Sequence, residues 1–201
     1  MTKELAKSIS DATLNLLREG GNGSYFGEQV TQLQHALQAA DLARSNGADN
    51  EMILAALLHD IGHLLEGERH EEVGVIDHDQ YGASWLEDRS VGERLIELVS
   101  GHVHAKRYLV ATRPEYRDRL SEASQRTLAL QGGPMTPEEG PEFEERPRFR
   151  EILRVRSWDE QAKNPDSIVP SLESYRSILL EYLERQDTLD RSSSPDAHRV
   201  Y

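Results

Sequence analysis

Two ionisable residues break the most apolar stretch of the chain, where Met52 to Leu58 runs directly into His59 and Asp60. An ionised carboxylate in such surroundings is costly unless it is paired or holds a metal. On a helix with 3.6 residues per turn, adjacent side chains point about 100° apart, so His59 and Asp60 both reach one point beside it. His63 follows His59 by four residues and shares its face. A single histidine-aspartate pair is as compatible with a structural hydrogen bond as with a metal site. Four further residues weigh against that plain reading: His35 in an amphipathic segment, His78 ahead of a helix, His102 in Ser100-Gly101-His102-Val103, and Asp159 after Trp158. Singly, His35 reads as a core histidine, His78 as a loop residue and Asp159 as a solvated helix position. Together, four histidines and two aspartates in the order His, His-Asp, His, His, Asp form a nitrogen and oxygen donor set suited to iron, manganese or another divalent metal. Six ligands exceed the needs of one open site. Asp60 is therefore expected to bridge two ions, with His35, His59 and Asp159 completing one and His78 and His102 the other. The second ion then has more room for substrate or dioxygen.

The elements that must position these residues read as helices, since the 3.6-residue period dominates and strand-like alternation is scarce. The fold class is all-α. Leu5, Ile9, Ala12, Leu16 and Leu17 repeat at helical spacing up to the Gly20-Gly21-Asn22-Gly23 loop. Further helices are expected over Gln29 to Ser45, Glu51 to Leu65 with Asn50 as its N-cap, Gln80 to Asp88, Val91 to Val103, Ser121 to Leu130, Arg148 to Lys163 and Leu172 to Arg185. Pro134, Pro137, Pro141 and Pro147 break up the stretch after Gln131-Gly132-Gly133. From about Gln186 the chain is polar and aperiodic, so residues 186–201 are expected to be a disordered tail behind a single domain over 1–185.

Composition narrows the function. The chain has 201 residues and no cysteine, which excludes thiolate metal sites, iron-sulfur clusters and disulfides. A net charge of -13 disfavours nucleic acid as a partner, because phosphates demand a basic face. No apolar run approaches the ~20 residues of a membrane span, and the N-terminus lacks an apolar signal region, so a cytoplasmic location is expected.

His35, His59-Asp60 within Leu57-Leu58-His59-Asp60-Ile61-Gly62-His63, and the late Asp159 resemble the HD superfamily. The resemblance lengthens through Ser24-Tyr25-Phe26-Gly27-Glu28, Gly101-His102-Val103, Ala105-Lys106-Arg107-Tyr108-Leu109-Val110, Gln131-Gly132-Gly133-Pro134-Met135 and Trp158-Asp159-Glu160. Over nearly the whole chain except the tail it is similar to the small HD-domain phosphonate oxygenases of the PhnZ type. That resemblance implies a single HD-domain helical bundle and an Fe(II)/Fe(III) pair with dioxygen as co-substrate. The implied reaction cleaves the carbon-phosphorus bond of a 1-hydroxyphosphonate to phosphate and a carboxylate. A 2-oxoglutarate-dependent hydroxylase upstream is implied as the source of the substrate. The expected substrate is 1-hydroxy-2-(trimethylammonio)ethylphosphonate, giving glycine betaine; 2-amino-1-hydroxyethylphosphonate, giving glycine, is the alternative. A metal-dependent phosphohydrolase and a non-catalytic HD scaffold are the rival classes.

A doubly charged phosphonate needs cations and donors inside this acidic chain. Lys106 lies four residues after His102 and Arg156 three before Asp159, so each can share a helical face with a metal ligand. The resemblance adds Ser124, Thr127, Gln131 and His63 to the phosphonate pocket. It also implies that Tyr25 and Glu28 form a mobile pair that covers the open metal position until substrate arrives. A tyrosine packed at a helix entrance, with Glu28 in the first turn, accounts for the same residues equally well. Tyr25, Phe26, Tyr81, Asp41 and Asp77 are candidates for the cationic end, with Asp41 and Asp77 adding the negative character that favours the quaternary substrate.

Overall fold

Each of the first three helices starts at a side chain that accepts a hydrogen bond from its own backbone. In a computed structural model describing residues 1–25, 27–70 and 74–192, Thr2 caps α1 (Lys3–Gly20) through Leu5 N at 3.2 Å. Thr31 and Gln34 close a capping box on α2 (Gln32–Ser45), at 2.8 and 3.1 Å. That box fixes the start at Gln32 instead of Gln29. Asp49, not Asn50, caps α3 (Asn50–Leu58) through Met52 N at 2.9 Å. Met52 to Leu58 are all buried, so α3 is the central helix its apolar run predicts.

The continuous helix expected to Leu65 stops at Leu58, and the chain turns through a 3-10 segment, Ile61–Leu64. Gly62 explains the tight path, because a Cβ there would lie 1.8 Å from the His78 carbonyl oxygen. A short antiparallel hairpin follows, β1 (Arg69–His70) on β2 (Gly74–Val75), with Arg69 opposite Val75. It delivers the chain to α4 (His78–Glu87), whose first residue is His78.

Helix α5 (Glu93–Thr112) continues well beyond the Val103 end expected from the sequence. Its length puts His102 and Lys106 on one continuous helix. Then come α6 (Pro114–Arg119), with proline at its start where no N–H is needed, and α7 (Glu122–Leu130), capped by Ser121. The proline-broken stretch still holds one short helix, α8 (Glu139–Glu144). Helix α9 (Phe149–Gln161) carries Asp159. A 3-10 turn, Leu172–Tyr175, leads into α10 (Arg176–Ser192), which runs past the expected Arg185 end. Residues 193–201, part of the expected tail, lie outside the described residues.

Helices α2, α3, α5 and α9 pack on one another, α4 lies along α5, and α1 and α10 pair beside α3. Gly101 lets α5 approach α9 closely, since a Cβ there would meet Ile152 Cγ2 at 2.7 Å. A smaller apolar cluster of Leu109, Val110, Tyr116, Leu120 and Leu128 fastens α6 and α7 over the end of α5. That cluster places Ser124 and Thr127 above Lys106. No helix among the described residues is long and apolar enough to cross a membrane.

Candidate metal centre and anion pocket

Four elements send one imidazole each toward a common point: His35 from α2, His59 from the end of α3, His78 from the start of α4 and His102 from mid-α5. All four rings are buried. Each Nδ1 faces a backbone carbonyl, of Ala162 at 2.9 Å, Ala56 at 2.8 Å, Val75 at 3.2 Å and Val99 at 2.7 Å respectively. A carbonyl only accepts, so each Nδ1 carries the proton and each Nε2 presents a lone pair to the centre. His35 Nε2 lies 3.0 Å from His59 Nε2, and His78 Nε2 lies 3.0 Å from His102 Nε2. Converging lone pairs repel unless a cation joins them, which is the requirement a metal ion meets.

The carboxylates complete two sets of donors. Asp159 Oδ1 lies 3.4 Å from His35 Nε2 and 3.8 Å from His59 Nε2. Asp60 divides its oxygens: Oδ2 is 3.5 and 3.4 Å from His35 and His59, while Oδ1 is 3.2 and 3.4 Å from His78 and His102. His35, His59 and Asp159 thus form one possible metal set, and Asp60, His78 and His102 the other. The donor chemistry fits two ions of the iron or manganese type, with Asp60 between them.

Charge inside the cluster is strongly coupled. Burial alone would push the Asp60 carboxyl up, but His59 and the hydrogen bonds of His102 and His78 hold it well below the usual carboxylate range. Burial opposes ionisation of Asp159 too, and the Arg156 guanidinium outweighs it. Burial would likewise depress His59, yet Asp60 and Asp159 raise it well above an ordinary imidazole.

Tyr25 lies directly on this centre. Its hydroxyl donates to Asp60 Oδ2 at 2.7 Å, and its ring stacks on His35 at 4.0 Å. Burial and the Asp60 charge raise the phenol well above its usual range, so it stays a donor. Glu28 accepts from Ser121 Oγ at 2.6 Å and Lys163 Nζ at 2.8 Å. His63 stacks on His78 at 3.9 Å and accepts from Val75 N through Nδ1, which leaves the proton on Nε2.

A cavity of about 430 Å³, its open mouth included, joins Tyr25, Glu28, Asp60, His63, His78 and His102 to a cationic wall. That wall contains Lys106, Arg156, Ser124, Thr127 and Gln131, all expected from the sequence, and Lys163, which was not. Lys106 is buried on α5 and donates to Thr127 Oγ1 at 2.8 Å. Burial, reinforced by Arg156, pushes its ammonium down to about 7. Arg156 pairs through Nη1 with Asp159 and donates from Nε to the Tyr116 hydroxyl at 2.9 Å. Its Nη2 is buried without a hydrogen-bond partner, an orphaned donor that an anion would satisfy. Lys163 donates to Glu28, Ser121 and Ser124. It follows Asp159 by four residues, the helical spacing that also links Lys106 to His102, so the same argument could have found it.

Of the residues expected at the cationic end, Tyr25 lines this cavity and the described aspartates do not. Asp77 lines a neighbouring cavity with Asp79, His104 and Arg107, and neither Asp41 nor Tyr81 lines the metal-side one. Asp41 belongs to α2 but sits near Tyr175; six residues after His35, at about 100° per residue, it points from a different face, so the shared helix did not mean a shared site. Phe26 lies outside the described residues.

An all-α bundle with this His, His-Asp, His, His, Asp centre is the architecture of an HD domain, and the HD-domain family model matches residues 33–140. The chain belongs to the HD-domain family. Among its relatives, a [1-hydroxy-2-(trimethylamino)ethyl]phosphonate dioxygenase (glycine-betaine-forming) of Leisingera caerulea is 44% identical over 161 residues, 75% of this chain and 78% of that protein. A hydroxymethylphosphonate dioxygenase of Gimesia maris is 42% identical over 173 residues, 84% of this chain and 85% of that protein. An uncharacterised protein, L432 of Acanthamoeba polyphaga mimivirus, is 40% identical over 174 residues, 85% of this chain and 80% of that protein.

Proposed function

We propose that this chain is a di-iron oxygenase that uses dioxygen to cleave the carbon-phosphorus bond of a small 1-hydroxyphosphonate, releasing phosphate and a carboxylate. The observation that carries the reading is the junction of two donor sets through Asp60 with a pocket walled by Lys106, Arg156 and Lys163. The dioxygenase names of two relatives support the reaction class. His35, His59 and Asp159 would hold one iron and His78 and His102 the other, with Asp60 shared. The pair, as Fe(II)/Fe(III), would supply the electrons that engage dioxygen. Overall the hydroxyphosphonate and dioxygen give the carboxylate, hydrogenphosphate and a proton, with four electrons leaving the carbon–hydrogen and carbon–phosphorus bonds.

The chain's own residues hold the substrate for that event. Lys106, the orphaned Nη2 of Arg156, Ser124 and Thr127 take the phosphonate oxygens, and His63 donates from Nε2 beside His78. The hydroxyl-bearing carbon would then lie beside Asp60, close to Tyr25, which donates to the Asp60 oxygen on the His35 and His59 side. Reaction at one of two prochiral or enantiomeric hydrogens follows from that fixed orientation.

For the substituent, the trimethylammonium substrate and its glycine betaine product are the reading carried by the Leisingera relative, with the Tyr25 ring and Glu28 as its contacts. A second reading has a specific observation behind it: among the described residues, Glu28 is the pocket's only carboxylate beyond the proposed metal ligands, and Lys163 already holds it. That favours hydroxymethylphosphonate, which has no cation to satisfy and would give formate. A hydroxylase acting on the parent phosphonate would supply either substrate.

The test is phosphate release from hydroxymethylphosphonate and from each enantiomer of the trimethylammonium compound, in air and under argon. Turnover that stops without dioxygen supports the oxygenase. Equal release under argon, or hydrolysis of phosphate esters in its place, identifies a hydrolase and refutes it.

A further inference from the structure

Arg156 spends one guanidinium in three directions. Nη1 pairs with Asp159 Oδ2, and Nε donates to the Tyr116 hydroxyl at 2.9 Å. The third nitrogen, Nη2, is buried without a hydrogen-bond partner among the described residues. A guanidinium beside a carboxylate frequently takes both oxygens in a two-point fork. Here it takes one. Asp159 Oδ1 is left facing His35 Nε2 at 3.4 Å and His59 Nε2 at 3.8 Å.

The contact that withholds the fork is the one to Tyr116. Turning the guanidinium about its Nη1 contact with Oδ2, so as to carry Nη2 onto Oδ1, would pull Nε off the phenolic oxygen. Tyr116 is itself held fast. Its ring is buried among Leu109, Val110, Leu120 and Leu128, the apolar cluster that fastens α6 and α7 to the end of α5. Burial pushes its phenol up to about 12, against the pull of Arg156. The hydroxyl therefore stays neutral and offers Nε a lone pair without competing for the charge that Asp159 needs.

We propose that Tyr116 is a positioning residue: by holding Arg156 Nε it keeps the guanidinium from closing on both oxygens of Asp159, which leaves Oδ1 to a metal and Nη2 to the cavity. The inference rests on the proposed di-iron phosphonate reading for what those two atoms receive. Without the hydroxyl, Nε is a buried donor with no acceptor, and the charge of Asp159 is the nearest compensation. Closing the fork then draws Oδ1 away from His35 and His59 and takes the orphaned donor out of the cavity. Both losses come from rotation of one side chain, so neither needs a change of fold. Tyr116 touches neither the metal ligands nor the cavity lining and acts only through Arg156.

The experiment compares the wild type, Tyr116→Phe, Arg156→Lys and the double variant. Phenylalanine keeps the ring in its cluster and removes only the hydroxyl, while lysine keeps a cation beside Asp159 but has no planar fork to orient. Fe(II) affinity is measured under argon by competition with a chelator. Methylphosphonate, which has the anionic group but no hydroxyl to react, is then titrated into the iron-loaded proteins. Tyr116→Phe is expected to weaken methylphosphonate about tenfold, the factor one charge-assisted hydrogen bond contributes. Fe(II) should weaken about threefold to tenfold, no more than loss of a group directly behind a ligand costs. In the Arg156→Lys background the same substitution should change either affinity less than about twofold. A hydroxyl that served packing alone would lower unfolding stability in both backgrounds and leave both affinities as they were. Either affinity unchanged in Tyr116→Phe, or equal losses in the two backgrounds, overturns the proposal. If methylphosphonate does not bind the wild type, the phosphonate reading fails and the Fe(II) affinities alone decide the role of Tyr116. If both affinities shift as expected but no hydroxyphosphonate is turned over in air, the reaction assignment fails and that role stands.

Discussion

Removing the shared carboxylate should affect the two metal positions unequally, and the geometry says how. In Asp60→Ala, an ion held by His78 and His102 would lose the oxygen that lies 3.2 and 3.4 Å from their Nε2 atoms. It keeps two imidazoles, fewer than the three protein ligands of an ordinary open catalytic site. The other ion keeps His35, His59 and Asp159. Even groups one shell behind a metal are worth about 10–100-fold in affinity, so loss of a direct ligand should weaken the His78/His102 ion by at least ~100-fold, or ~2.7 kcal/mol. The expected outcome is a fall from two irons per chain to about one. Protein reconstituted with Fe(II) under argon, passed through gel filtration and measured by elemental analysis gives the ratio directly. Adding His35→Ala to Asp60→Ala should then remove the remaining iron, while adding His78→Ala should not. Two irons retained in Asp60→Ala, or a remaining ion indifferent to His35→Ala, would refute the bridging assignment.

Three other outcomes are expected. Gly62→Ala places a Cβ 1.8 Å from the His78 carbonyl oxygen, so the metal-free protein should lose about 1–3 kcal/mol in denaturant unfolding and iron content should drop; a variant normal in both measurements contradicts the packing argument. Lys106 is charged below about 7 and neutral above it, so kcat/KM for a hydroxyphosphonate should decline as pH rises through that value. Lys106→Met should abolish that limb of the pH profile and cost about tenfold or more in kcat/KM; a limb that persists in the variant assigns it elsewhere. Arg156→Met leaves Asp159 without its buried partner, which should cost the metal-free protein about 3–5 kcal/mol. The loss should be smaller in the iron-loaded protein, where the metal neutralises Asp159, and equal losses in the two forms would show that Asp159 is not a ligand.

What the sequence determined by itself was the helical class and which histidines and aspartates could serve as donors. His59 and Asp60 stood out because charge inside an apolar run must be compensated, and that conflict is local enough to read from a dozen residues. Lys106 and Arg156 were found through helical spacing from metal ligands, which held because α5 and α9 are regular through those positions. Lys163 obeys the same spacing, but as the last residue of the helix expected from the sequence it reads as solvated, and only the approach of Glu28, Ser121 and Ser124 from distant elements makes it part of a site. Helix ends were decided by neighbours as well. Helix α3 stops at Leu58 because the turn through Gly62 is pressed against the start of α4, an encounter no local propensity encodes. The division of labour between the Asp60 oxygens, and the exclusion of Asp41 and Asp77 from the pocket, were likewise tertiary decisions. A residue's type fixes what its atoms can do, but direction and company depend on how α2, α3, α4, α5 and α9 cross, and those crossings are set by packing between segments far apart in the chain.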